Sequence, residues 1–150
     1  MASSKKAWGL IIARTVLGGC LLLFGLNQFH GLLGAPELNG EALEFIKALQ
    51  DTGYLFYVIK GIEAFGGCLL LSGLLVPLAN LLLFPILLNI LLFHIFLDPR
   101  GLPIALVMAI CSIAIFWYYK KIFLLLLRYN IKIDPNSLKE KDVVPEVKKT

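Results

Sequence analysis

Residues 66–74 read GGCLLLSGL, and residues 18–26 read GGCLLLFGL, so eight of the nine letters recur in a second place. In each copy two glycines lie seven residues apart, which places them on one face of an α-helix. Small residues on one face allow membrane helices to approach closely. The similarity stops outside the nine residues, which favours local convergence over duplication and leaves an inverted repeat as the alternative. The contact glycines that we predict are Gly18, Gly25, Gly66 and Gly73.

The composition is that of a membrane protein. The 150 residues are 59% hydrophobic and 16% charged, with a mean hydropathy of +0.83. Soluble domains average about 45–50% apolar and about 25% charged residues. A bilayer core of about 30 Å needs about 20 helical residues. The segments that meet this length are 8–29, 54–76, 78–97 and 102–127. We therefore predict an all-α fold: a four-helix transmembrane bundle over residues 1–133, followed by a mobile tail over residues 134–150.

The link between the first two predicted spans contains a short amphipathic pattern. Residues 41–50 place Ala42, Phe45, Ile46 and Leu49 on one helical face. The pattern predicts a short helix in the first external loop, lying on the membrane surface. A loop that caps the bundle is the equally open alternative.

The basic residues predict the orientation. They cluster before the first span and around the end of the fourth, whereas the link after the first span is acidic. Because basic residues favour the cytoplasmic side, we expect both termini and the tail in the cytoplasm. The net charge of +4 follows from this asymmetry, so we expect a lipid bilayer and no nucleic acid as the partner.

Several polar residues fall inside or at the ends of the apolar segments. A charge at the centre of a membrane helix costs about 2.5–3.5 kcal/mol, so such groups should face the bundle interior and find partners. Lys60 and Glu63 are three residues apart and can pair, and Arg14 could reach Glu63 from the neighbouring helix. The predicted polar or ligand-binding cluster comprises Arg14, Asn27, Gln28, His30, Lys60, Glu63, Asn89 and His94.

This cluster has several interpretations, and no catalytic residue can be assigned from it. It could be an ion-pair and hydrogen-bond network that fixes helix register. It could bind a quinone, with His94 and Lys60 donating to the carbonyls, or relay protons through Glu63 and His94. No ligand spacing supports a metal site. The sequence shows no cofactor motif, and a quinone is the one cofactor that we retain as an alternative.

The segment IEAFGGCLLLSGLLVPLANLLLFPILLNILLFHIFLD, residues 62–98, resembles the DoxX-like family of small bacterial membrane proteins. The matching features are Glu63 ahead of a Gly-Gly pair, the following LxxGLL, and a third span with Asn89 and His94. Arg14 ahead of Gly18 in the first span also fits. The resemblance covers about residues 8–125.

The resemblance implies a multi-pass protein of the bacterial inner membrane. Some members resemble the small subunit of a thiosulfate:quinone oxidoreductase, and others serve oxidative-stress complexes or act as chaperones for membrane partners. We therefore expect a non-catalytic component or scaffold for a membrane redox or assembly partner, with a quinone- or lipid-sized pocket, rather than a stand-alone enzyme. The alternative is a membrane subunit of a quinone-linked oxidoreductase. Whether the chain forms a homo-oligomer is left open by the sequence.

Overall fold

The computed structural model describes residues 2–30, 37–38 and 40–128, except for the side chains of residues 2–6, 28–30 and 126–128. This part of the chain is helical, and the predicted all-α four-helix fold is confirmed. A 3₁₀ turn, Pro99–Gly101, precedes the fifth helix. The α-helices are α1 (Ala2–His30), α2 (Glu41–Asp51), α3 (Leu55–Ser72), α4 (Val76–Phe96), α5 (Leu102–Tyr118) and α6 (Lys120–Arg128).

Four segments are long and apolar enough to cross a bilayer. They are Ala7–Asn27 within α1, Leu55–Ser72, Val76–Phe96 and Pro99–Tyr118. At about 1.5 Å per helical residue, each spans most of a hydrocarbon core about 30 Å thick.

The turn between α3 and α4 differs from the sequence prediction. α3 ends at Ser72 rather than at Val76, because Gly73 adopts a left-handed conformation with φ 78° and closes the helix. Leu75 is also left-handed, with φ 49°, and α4 begins at Val76 rather than Leu78. Two left-handed residues so close together reverse the chain within three residues.

The predicted fourth span over residues 102–127 is divided in the structure. α5 ends at Tyr118, and Tyr119 leaves the helical conformation with φ −93° and ψ 13°. The chain separates into two compact units after Lys120. The second unit contains most of α6, a short helix with basic residues at both ends. The predicted tail over residues 134–150 lies outside the described residues.

In the first unit, four helices form a bundle in which each helix packs against two neighbours. α1 packs against α3 and α5, and α4 packs against the same two helices. The bundle interior is aliphatic, as expected for helices whose outer surfaces also face hydrocarbon. Its fully buried side chains include Leu17, Leu21, Leu70, Leu83 and Ile115.

Glycines set the distance between α1 and α3. A Cβ atom on Gly18 would lie 2.9 Å from the carbonyl oxygen of Gly67, and one on Gly25 would lie 2.8 Å from the backbone nitrogen of Ala64. Gly18 and Gly25 of the first nonapeptide therefore face the α3 backbone, whereas a Cβ on Gly19 would meet nothing within 4 Å. In the second nonapeptide Gly67 faces α1, whereas Gly66 faces the Leu83 side chain on α4.

Helix α2 covers one end of the bundle. Ala42 is buried, and the Phe45 ring lies 5.7 Å from the Phe93 ring on α4, measured between centroids. The amphipathic pattern therefore forms a helix whose apolar side contacts the bundle.

Candidate functional site in the membrane bundle

The central polar feature of the bundle is an ion pair on α3. The Lys60 ammonium donates to both oxygens of the Glu63 carboxylate, at 3.0 Å and 2.8 Å. Glu63 is 1% exposed, whereas the Lys60 side chain is 21% exposed. The spacing of three residues places both groups on one helix face, so the pair forms within a single helix.

Phe56 and Gly25 lie beside Lys60. The Lys60 ammonium lies 5.9 Å from the centre of the Phe56 ring, within the range of a cation–π contact. Gly25 of α1 packs directly over the Lys60 carbonyl oxygen, 3.0 Å from where a Cβ would lie. The carboxylate is thus compensated inside the bundle, and removing either partner would leave the other charge in an apolar environment.

Arg14 does not join this pair. Its guanidinium lies against Gly73, where an added Cβ would overlap it. Gly73 lies about 15 Å along the α3 axis from Glu63, at 1.5 Å per residue. The approach of Arg14 to Glu63 that the sequence suggested is therefore absent from the structure, because the antiparallel register places Arg14 beside the α3–α4 turn.

His94 lies in the last turn of α4 and binds the backbone. Its Nδ1 lies 2.8 Å from the carbonyl oxygen of Asp98. Because a carbonyl oxygen only accepts, Nδ1 carries the proton and donates it. The ring also packs on Gly101 and lies 5.2 Å from the Phe93 ring. His94 thus holds the α4–α5 turn.

Arg100 extends this turn to the link before α2. Its Nε donates to Asp98 Oδ1 at 2.7 Å, and its terminal nitrogen donates to the Glu37 carbonyl oxygen at 2.8 Å. The hydrogen bond from Arg100 holds the pKa of the Asp98 carboxyl below its usual value. Asp98 and Arg100 were not among the predicted site residues, although the Asp-Pro-Arg-Gly stretch between two apolar segments indicates a turn.

Asn89 lies apart from both groups. Its exposed side chain lines a shallow groove of about 220 Å³ between α2 and α4. Ligand pockets usually measure about 300–1,000 Å³, so this groove is small for a whole quinone ring system with its tail. The remaining lining residues are Phe45, Leu92, Phe93, Phe96 and Leu97.

The other members of the predicted cluster lie at the C-terminal end of α1. Asn27 is half-buried and has an interaction partner. The side chains of Gln28 and His30 lie outside the described part of the structure. Apart from Asn27, the described members of the predicted cluster therefore occupy separate places: the α3 ion pair, the α3–α4 turn, the α4–α5 turn and the groove.

A polar contact that the sequence analysis missed joins α4 to α5. The Asn80 amide nitrogen donates to the Ser112 carbonyl oxygen at 3.2 Å, and the Ser112 hydroxyl donates to Asn80 Oδ1 at 3.0 Å. Both residues are buried. Polar side chains often link helices in membranes. The Asn80 amide within the apolar sequence of α4 indicates such a contact, but the sequence does not show which residue it would bond.

The cysteines are unpaired, and the described residues contain no cluster of metal-ligating side chains. No three His, Cys, Asp or Glu side chains there lie close enough to hold a metal ion. Cys20, Cys68 and Cys111 are free thiols, of which Cys20 and Cys111 are half-buried and Cys68 is exposed.

Four apolar helices of membrane-spanning length, closed into one bundle around buried polar contacts, define a multi-pass membrane protein. The DoxX family model matches residues 9–95, more than half of the chain, and includes Arg14, the α3 ion pair and His94. The chain therefore belongs to the DoxX family. No curated protein and no solved structure matches it.

Proposed function

We propose that the protein is a non-catalytic membrane component that acts as a scaffold for a membrane redox or assembly partner. The observation that carries this proposal is the α3 ion pair, in which both carboxylate oxygens of Glu63 already bind Lys60. A proton-handling or ligand-binding carboxylate needs an oxygen that can turn toward its substrate. The pair instead neutralises its own charges within the bundle.

The other described polar contacts favour the same role. Asn80 and Ser112 tie α4 to α5, and His94 binds the backbone of its own turn. These contacts stabilise helix positions. The helices present an apolar outer surface to lipid or to a partner, including Phe65 on α3 and Ile110 on α5.

Photo-crosslinking in membranes tests the scaffold role. A photoreactive amino acid replaces Phe65 or Ile110 in the full chain, and adducts are identified by mass spectrometry. We expect one face to give a discrete adduct with a redox or assembly protein and the other to give lipid adducts. Lipid adducts at both positions would contradict the proposal.

The alternative function is a subunit of a thiosulfate:quinone oxidoreductase. The feature that favours it is the aromatic lining of the groove at Asn89, where Phe93 lies beside the His94 ring, although the groove is smaller than a typical ligand pocket. The matching assay follows thiosulfate-dependent reduction of a short-chain quinone by the purified protein in nanodiscs. We expect no rate above empty nanodiscs. A rate that His94→Gln abolishes, with folding unchanged, would replace the scaffold proposal by the enzymatic one.

We also propose that the protein resides in the bacterial inner membrane with both termini in the cytoplasm, which places α2 outside. The basic residues Lys120 and Lys121, which follow the last span, favour this orientation because Lys and Arg concentrate on the cytoplasmic side, whereas α2 carries the single basic residue Lys47. A Glu44→Cys variant without the native cysteines should react with an impermeant maleimide in cells whose outer membrane has been permeabilised. Labelling only after lysis would reverse the orientation.

A further inference from the structure

The guanidinium of Arg14 occupies an unusual position for a charge on a membrane helix. The residue lies seven positions inside the apolar span that begins at Ala7, and its side chain is half-buried. It makes no hydrogen bond or ion pair with any of the described residues. An arginine in a membrane span without a carboxylate partner is costly unless its guanidinium reaches water or a headgroup.

The contact with Gly73 shows how deep the guanidinium lies. Gly73 follows the last residue of the α3 span, Ser72, and the next span begins at Val76. The α3–α4 turn therefore marks the edge of the hydrocarbon core. Because the Arg14 guanidinium lies against this turn, it has extended along the bundle to the level of the lipid headgroups.

Aromatic residues mark the same boundary. Trp8 near the start of α1 and Trp117 near the end of α5 are both exposed at this end of the bundle. The Lys120 ammonium lies 4.9 Å from the centre of the Trp117 ring. Tryptophan and lysine concentrate where hydrocarbon meets headgroups.

The surface beside the guanidinium suits the rest of a lipid. Leu74 and Leu75 of the turn are each 63% exposed, next to the glycine that Arg14 contacts. A phospholipid presents a phosphate to the cation and acyl chains to such leucines. Gly73 keeps the site open, since any side chain there would displace the guanidinium.

We propose that Arg14 and the α3–α4 turn form a binding site for the phosphate of an anionic phospholipid. The guanidinium supplies charge and paired hydrogen-bond donors to the phosphate oxygens. The turn supplies apolar contact for the upper acyl chain. The site is separate from the scaffold role and does not depend on it.

Lipid titration of the full chain tests the proposal. Binding of phosphatidylglycerol to the detergent-solubilised protein is measured by native mass spectrometry against phosphatidylcholine. Arg14→Gln should weaken phosphatidylglycerol binding about fivefold, the contribution of one basic residue at a membrane surface. Arg14→Lys should retain part of the preference. Lys47→Gln, which removes an exposed charge on α2, is the matched control and should bind as the unaltered protein does.

A second measurement needs no variant. Hydrogen exchange of the Leu74 and Leu75 amides in nanodiscs should slow when phosphatidylglycerol replaces part of the phosphatidylcholine. Equal exchange in both lipids would overturn the proposal, as would equal lipid binding by the Arg14→Gln and Lys47→Gln variants. Equal protection by inorganic phosphate added to phosphatidylcholine nanodiscs would overturn the lipid assignment.

Discussion

Replacing Gly67 by alanine should destabilise the bundle through one backbone contact. The new Cβ would lie 2.7 Å from the Leu22 nitrogen and 2.8 Å from the Gly18 carbonyl oxygen, whereas ordinary contact begins at 3.4 Å. Backbone atoms cannot rotate away, so α1 and α3 would have to separate by about 0.7 Å or bend. Overpacking of this kind costs about 1–3 kcal/mol.

Gly61→Ala is the matched control on the same helix. A Cβ on Gly61 would meet nothing within 4 Å. Both substitutions change the helix propensity by the same amount, about 1 kcal/mol in favour of alanine, so their difference isolates the contact with α1. Gly67→Ala should therefore be less stable than Gly61→Ala by about 1–3 kcal/mol.

Unfolding in mixed micelles measures this difference. The full chain in a mild detergent is titrated with sodium dodecyl sulfate and followed by tryptophan fluorescence and circular dichroism. The Gly67→Ala midpoint should fall at a lower dodecyl sulfate fraction than the Gly61→Ala midpoint. Equal midpoints would show that α1 and α3 do not touch through this glycine, and would refute the packing argument for the repeated nonapeptide.

Three further predictions concern the polar contacts. Lys60→Met should cost about 3–5 kcal/mol of unfolding free energy by leaving the Glu63 carboxylate buried and uncompensated, and adding Glu63→Leu should restore most of it. Ser112→Ala should cost about 0.6–1.7 kcal/mol, since it removes one hydrogen bond between membrane helices. Arg100 lowers the pKa of Asp98, so the ionised carboxylate stabilises the fold above its ordinary pKa of 3.8. This contribution is lost as the pH falls through the lower folded-state value, and Arg100→Gln should remove that acid dependence of the melting temperature.

Each of these predictions has a control. For the ion pair, a double variant no more stable than Lys60→Met would contradict mutual compensation. For Ser112, the control is Ser72→Ala, because Ser72 is exposed and its hydroxyl bonds nearby backbone groups, donating to the Leu69 carbonyl oxygen and accepting from the Leu74 N–H. The helix contact is refuted if both serine variants melt alike. For the α4–α5 turn, the Arg100→Gln variant is compared with the unaltered protein. If both lose the same stability in acid, other carboxyl groups cause the loss.

The apolar length of the segments was sufficient to predict the fold class. Four runs that cannot remain in water, each about as long as a bilayer is thick, permit few arrangements other than a helical bundle. The Lys60–Glu63 pairing was also accessible, because a spacing of three residues fixes the neighbourhood of two side chains within one helix. The fold class and the Lys60–Glu63 pair could both be predicted because each depends on residues that are close together in the sequence.

Partners on different helices were decided only by the tertiary structure. Arg14 lies beside Gly73 rather than near Glu63 because the register of α1 against α3 is set by glycine contacts along the whole interface. Asn80 bonds Ser112 because the packing of α4 against α5 places the two residues opposite each other. Helical periodicity fixes the face of a residue but not its neighbour, since sliding one apolar helix along another changes every pairing and leaves the sequence pattern unaltered.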